Sequence, residues 1–183
     1  MTFSLLPAVL FSVARFNPSG DFGVSTLHKS ARKTYPVTDM PAGPSDHELY
    51  NELAFYTLEL RDPEFIHQHM VDVFAVQHAG PDSKPIAIVF GLIGLYLYLE
   101  KKFTGRQVQR AHMQLARHRR QWIAPTIPQQ SANIGIGDVL AAAPGPERHA
   151  IIRRWCQAVW NDWQHCRSQI AALAQHELNI QPD

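Results

Sequence analysis

Ile86-Ala87-Ile88-Val89-Phe90-Gly91-Leu92-Ile93-Gly94-Leu95-Tyr96-Leu97-Tyr98-Leu99 is the stretch that decides the fold. It carries no charge and is apolar on nearly every side of a helix, so it predicts a helix buried all round, from about Pro85 to Lys102. A membrane span needs about twenty such residues, and this run is shorter. A central core helix is therefore expected, and no membrane partner. Gly91 and Gly94 stand three apart on one side of it. Glycine lowers helix propensity, so their presence implies that a neighbouring helix approaches closely there.

Working outward, the pattern stays helical. Upstream, Ser45-Asp46-His47-Glu48 reads as a capping box. Leu49, Leu53, Tyr56 and Leu60 follow at i, i+4, i+7 and i+11, the stripe of an amphipathic helix. Asp62-Pro63-Glu64 predicts the start of a second helix, with Asp as cap and Pro in the first turn. Gly80-Pro81 ends it. Downstream, Thr104-Gly105-Arg106-Gln107 is a second capping box, opening a helix to about Trp122.

Residues 123–137 read as a loop, with a short turn capped by Asp138 after it. Pro144-Gly145-Pro146 breaks that turn and a long last helix follows. Along it Ile152, Cys156, Val159, Trp163, Cys166, Ile170 and Leu173 are spaced 4-3-4-3-4-3, a seam packed on other helices. No strand alternation appears. The fold class is an all-α bundle of about five helices with a long C-terminal helix.

Residues 1–44 differ in character. They contain no Glu and little periodicity, and are expected to form a flexible N-terminal extension to a single helical domain over 45–180. Three readings stand for them: a flexible tail, a secretory leader, or upstream sequence ahead of a natural start at Met40. No Lys or Arg precedes the apolar opening, which argues against a leader.

The chain has 183 residues and a formal net charge of +1. No global field points to nucleic acid or membrane. Two cysteines, Cys156 and Cys166, lie ten residues apart in the expected last helix, roughly 15 Å along the axis. That is too far for a disulfide. Reduced buried thiols and a cytoplasmic location are expected.

Chemistry is concentrated in residues 65–80, which hold His67, His69, Asp72 and His78. At about 100° per residue the helix has two edges. His67 and His78 share one with Val71 and Phe74; His69 and Asp72 share the other with Val76. His67 and His78 are about 16 Å apart along the axis and cannot ligate one ion from a straight helix. A metal site needs ligands from other helices. His112 faces inward with Val108 and Leu115, and His165 lies off the seam of the last helix. The candidate ligands for a divalent metal such as Zn, Ni, Mn or Fe are thus His67, Asp72, His78, His112 and His165. Against that stand the plain reading that these histidines bond helix ends and carboxylates or face solvent, and a general-base role without metal.

Glu64-Phe65-Ile66-His67 is a lone E-x-x-H, and a di-iron bundle needs two. The chain has no P-loop, no G-x-G-x-x-G, no G-x-S-x-G and no H-E-x-x-H.

Charge is unevenly placed. Residues 46–64 hold six acids and one arginine, a local net of −5, and residues 101–137 hold seven bases and no acid, a net of +7. Arg106, Arg110 and Arg117 are the candidate anion or partner surface. A solvated basic face is the plain reading. An acidic patch meeting a basic one across a homodimer is the second, and a nucleic-acid surface the third. No run of aromatics lies there to stack on bases.

His67-x4-Asp72-x-Phe74-x2-Gln77-His78 resembles a segment of a bacterial family of uncharacterised proteins, a domain of unknown function. Residues 138–155 and Val159-Trp160-x2-Trp163 are similar to its C-terminal part. Members commonly begin with a Cys-containing segment, whereas here no Cys precedes Cys156. The resemblance implies a small bacterial cytosolic protein and carries no activity with it.

Two functions follow, and whether the chain is an enzyme stays open between them. One is a non-enzymatic interaction or oligomeric protein, held as a homodimer by the central helix or the opposed charge patches. The other is a divalent-metal-binding bundle, a metal-dependent hydrolase or transferase, built on the histidines of the second helix.

Overall fold

The computed structural model describes residues 43–118, 121–129 and 132–181. The expected N-terminal extension lies outside them, apart from Gly43 and Pro44. Seven α-helices follow in order: α1 (Asp46–Glu59), α2 (His67–Gln77), α3 (Pro85–Leu99), α4 (Gly105–Leu115), α5 (Ile136–Ala141), α6 (Pro146–Asp162) and α7 (Arg167–Leu178). There is no strand among the described residues. No helix there is long and apolar enough to cross a membrane.

The apolar run is the central helix. Residues from Ile88 to Leu99 along α3 are buried almost without a break, and α3 packs on α2, α4, α6 and α7. Its two glycines face α2. A Cβ on Gly91 would stand 2.6 Å from Cγ2 of Val76 and 3.0 Å from the Asp72 carbonyl oxygen. The close approach that the glycines implied is thus the α2–α3 crossing.

Both capping boxes form. Ser45 N–H donates to Glu48 Oε2 at 2.8 Å, and Thr104 N–H to Gln107 Oε1 at 2.7 Å. These return bonds satisfy backbone donors that a helix start leaves open.

Several boundaries differ from expectation, and α3 stops at Leu99, short of Lys102. The second helix begins at His67 and not at Pro63 behind an Asp62 cap. Asp62 does cap, but it caps a turn, accepting from Glu64 N–H at 2.9 Å and Ile66 N–H at 3.0 Å. Phe65 then adopts φ 60°, a left-handed conformation that stops a helix. This turn is needed because it docks on the start of α4: Arg106 N–H donates to the Glu64 carbonyl at 3.2 Å. Gly105 makes room for it, since a Cβ there would lie 2.7 Å from the Phe65 carbonyl carbon.

The fourth helix stops at Leu115, short of Trp122, and Arg117 and His118 continue only as turns. The last helix keeps its seam but breaks its ladder. Ile152, Cys156, Val159, Trp163, Cys166 and Ile170 are all buried, yet a 3-10 turn over Gln164–Cys166 separates α6 from α7. Arg167 caps the break, its guanidinium donating to the Trp160 carbonyl at 3.1 Å and to Asn161 Oδ1 at 2.6 Å. Cys156 and Cys166 are both buried and free, in α6 and the 3-10 turn and not on one helix.

Candidate functional site

The two edges of α2 are distinct. His69, Met70, Asp72, Val73 and Val76 are buried, so the His69/Asp72 edge is the inner one. His67 and His78 lie on the side that meets α1. His67 Nδ1 sits 2.8 Å from Thr57 Oγ1, and that hydroxyl donates on to the Leu53 carbonyl at 2.9 Å. Burial lowers the His67 pKa. His78 Nδ1 pairs with the Phe74 carbonyl at 2.9 Å, and Nε2 faces Asp46 Oδ2 at 3.1 Å. His165 is exposed and bonds the Thr126 carbonyl at 3.0 Å.

Of the five expected ligands, the fold brings together only Asp72 and His112. His112 Nε2 donates to the Phe90 carbonyl at 3.0 Å, which fixes the tautomer and leaves Nδ1 as an acceptor. Gln68 bridges the two, its amide standing 3.0 Å from Asp72 Oδ1 and 3.4 Å from His112 Nδ1. Asp72 Oδ1 and His112 Nδ1 are 3.8 Å apart. Among the described residues no three His, Cys, Asp or Glu side chains form a set that could hold a metal ion.

Burial governs this pair. It raises the Asp72 pKa well above the ordinary carboxyl value, against the Gln68 hydrogen bond. It drives His112 down to about 4. Two neutral groups are the consistent state, because a buried charge is costly and its cost is avoided by a pKa shift. Asp72 Oδ2 has no hydrogen-bond partner.

A cleft of about 620 Å³ is walled by the Asp62–Ile66 turn, His69, the end of α3, the start of α6 and the segment 102–104. His69 is 4% exposed and stacks on Tyr98 with ring centroids 3.6 Å apart. Burial lowers His69 to about 4, partly offset by Asp62. Tyr98 is pushed up to about 12, chiefly by desolvation, with Cys156 and Glu64 raising it and Arg153 lowering it. His149 completes the wall from α6. His69 Nδ1 and His149 Nε2 are enclosed and have no hydrogen-bond partner.

His69 lies on a chemical edge of α2 but is not among the five residues expected as ligands, and neither are His149, Tyr98 and Arg153. His149 and Arg153 stand one turn apart on α6 and Tyr98 near the end of α3, and no local spacing ties the two helices together.

The surface holds a second candidate. Arg106, Arg110 and Arg117 are exposed along α4 and its C-terminal turn. The Arg106 guanidinium lies over the Phe65 ring at 5.0 Å.

Fold and site together define a helical bundle protein with a buried acid–imidazole pair in its core and a histidine-walled cleft. The model of a family of unknown function (DUF5946) matches residues 34–164, and the chain belongs to that family. The match takes in α1 through α6. No curated protein and no solved structure matches the chain.

Proposed function

We propose that this chain is a non-enzymatic interaction protein that associates with a second copy of itself, α1 of one protomer lying along α4 of another. One observation carries the reading, a matched pair of exposed stripes. Glu48, Glu52, Phe55 and Glu59 stand at i, i+4, i+7 and i+11 on α1, and all four are exposed. Arg106, Arg110, Met113 and Arg117 repeat that spacing on α4 and its following turn, also exposed and with opposite charge. The uncharged member of each stripe is a large apolar side chain, Phe55 at 64% and Met113 at 55% exposed.

Residues at these spacings share one helix face. Among the described residues none of Glu52, Glu59, Arg110 and Arg117 forms an ion pair. Within the chain α1 packs on α2 and α5, and α4 on α2, α3 and α7, which leaves both stripes outward. Exposed ion pairs contribute about 0–1 kcal/mol each. They would set register and encounter rate, and Phe55 and Met113 would supply apolar burial. Two such contacts related by a two-fold axis close a dimer.

Light scattering at low and high salt tests the reading. The expected mass is twice the 20.7 kDa of the chain at low salt, falling as salt rises. E52R/E59R and R110E/R117E should each give monomers, and the four changes combined should restore association. A wild-type monomer at both salts, or reversals without effect, would end it.

A further inference from the structure

We infer that α1 of one protomer and α4 of its partner run in the same direction and in register, with Glu48 opposite Arg106, Glu52 opposite Arg110, Phe55 opposite Met113 and Glu59 opposite Arg117. This rests on the self-association proposed above and adds the direction of the contact and the counterpart of each residue.

Spacing fixes which alignments are open. Residues at 4-3-4 intervals line one helix face, and two such faces pack in layers where the intervals coincide. The order 4-3-4 reads the same from either end. Two alignments therefore set all four members of one stripe against all four of the other, one parallel and one antiparallel. An antiparallel slide that sets Phe55 on Met113 leaves Glu48 and Arg106 without a counterpart in the other stripe.

Chemistry separates the two. In the parallel alignment three carboxylates face three guanidiniums, and the two large apolar side chains face each other. In the antiparallel one Glu48 faces Arg117 and Glu59 faces Arg106, but Glu52 meets Met113 and Phe55 meets Arg110. Glu52 then loses water against a thioether that donates no hydrogen bond, and an unpaired charge resists that strongly. Phe55 takes Arg110 on its ring, yet Phe55 and Met113 no longer bury each other's apolar surface. The macrodipoles favour the antiparallel pair, but their charge sits in the end turns and is screened by salt on an exposed face. The mismatch falls on the two middle layers.

The leading members of the stripes are held in advance. Glu48 Oε2 accepts from Ser45 N–H at 2.8 Å and Oγ–H at 2.9 Å, and the Arg106 guanidinium lies over the Phe65 ring at 5.0 Å. In the parallel register these two preset groups meet each other, so little side-chain freedom is lost in pairing them.

Disulfide trapping in the full chain reads the direction. Opposed layers bring Cα atoms within the roughly 4.4–6.8 Å that a disulfide spans, whereas residues 106 and 117 lie about 16 Å apart at helical rise. E59C/R117C should give a covalent dimer on air oxidation, and E59C/R106C should not. Glu59, Arg106 and Arg117 are exposed, so both variants should fold. Wild type, whose two cysteines are buried, is the control and should give no cross-link. Charge reversal is the second readout: E59R should weaken association about fivefold, R117E in the same chain should restore it, and R106E should not. A covalent dimer from E59C/R106C, or rescue of E59R by R106E, would overturn the parallel register and leave self-association standing. Association with neither cross-link and neither rescue would place the contact elsewhere and overturn the register together with the α1–α4 reading. A wild-type monomer by light scattering would end both.

Discussion

A methyl group on Gly94 would stand 2.6 Å from Cγ of Asp72, and nearer still to Oδ2. The central helix therefore has a glycine where it has one because a carboxyl group of α2 occupies the space. Removing the Cβ lets the two helices close over a polar side chain. The G94A variant has to push Asp72 out of its hydrogen bond to Gln68 or part α2 from α3. Overpacking of this kind costs about 1–3 kcal/mol. Denaturant melts should place G94A below wild type by at least that amount. An unchanged midpoint would mean that the carboxyl has room to move.

Asp72 makes stability fall as pH rises from the acid side. Its folded pKa is raised by burial. A carboxyl held neutral in the folded state stabilises fully below its unfolded pKa, and that contribution is lost as pH rises through the folded value. D72N keeps a group of similar shape with no proton to lose. The substitution should raise stability near neutral pH relative to wild type and flatten the loss between mildly acidic and neutral pH. Chemical denaturation across that range checks it. Equal slopes for both proteins would show Asp72 ionised without cost.

The acid limb belongs to the imidazoles. His69 and His112 are both lowered to about 4 from an ordinary 6.5. A depressed folded pKa gives stability that is present above 6.5 and lost as pH falls toward 4. Each shift corresponds to roughly 3 kcal/mol across the window. H112Q retains polar atoms near Phe90 and removes one proton site. It should unfold at lower pH than wild type, with a shallower slope between 6.5 and 4. An NMR titration giving an ordinary pKa for both rings would contradict the burial that the fold assigns them.

The path from sequence to this site was uneven for physical reasons. The Gly91/Gly94 pair and the 4-3 seam of the last helix were legible because packing imposes a local period. The α2 edges were legible for the same reason. Phe65 was not, since its left-handed turn serves a contact with Gly105 forty residues on. The break at Gln164–Cys166 was invisible because the seam runs through it undisturbed, and only the backbone carbonyl of Trp160, capped by Arg167, registers the change. The cleft could not be read because His69, Tyr98 and His149 come from three helices. Their association is a property of the crossing angles, and no single stretch records it.

Cys156 should be inert. Its thiol is fully buried beside α2 and contacts the His69 carbonyl at 3.8 Å. Burial and the neighbouring Asp72 push its pKa up, which removes the thiolate that reacts. Neither Cys156 nor Cys166 should react with a thiol reagent in the native protein, and both should react in denaturant. Rapid native labelling of Cys156 would mean that the α2–α6 contact opens readily.

Gln77 holds three parts of the bundle with one amide. Its Oε1 accepts the Trp155 indole N–H at 2.7 Å, and its Nε2 donates to the Ile134 carbonyl at 3.0 Å. Trp155 is fully buried in α6, so its N–H has no access to water. Ile134 belongs to the segment that leads into α5. Q77A removes both bonds and leaves the indole donor unpaired, at a cost of about 1–3 kcal/mol. Q77E is the sharper comparison. It preserves the acceptor for Trp155 and, once ionised, loses the donor to Ile134 and brings a charge to a half-buried position. If the indole bond dominates, Q77E should lie between wild type and Q77A at low pH, where the new carboxyl is neutral. It should fall toward Q77A as that carboxyl ionises. Thermal melts of the three proteins at two pH values separate these contributions, and the near-ultraviolet signal of Trp155 reports its loss of order directly. Identical melts for wild type and Q77A would mean that Trp155 is held by packing alone.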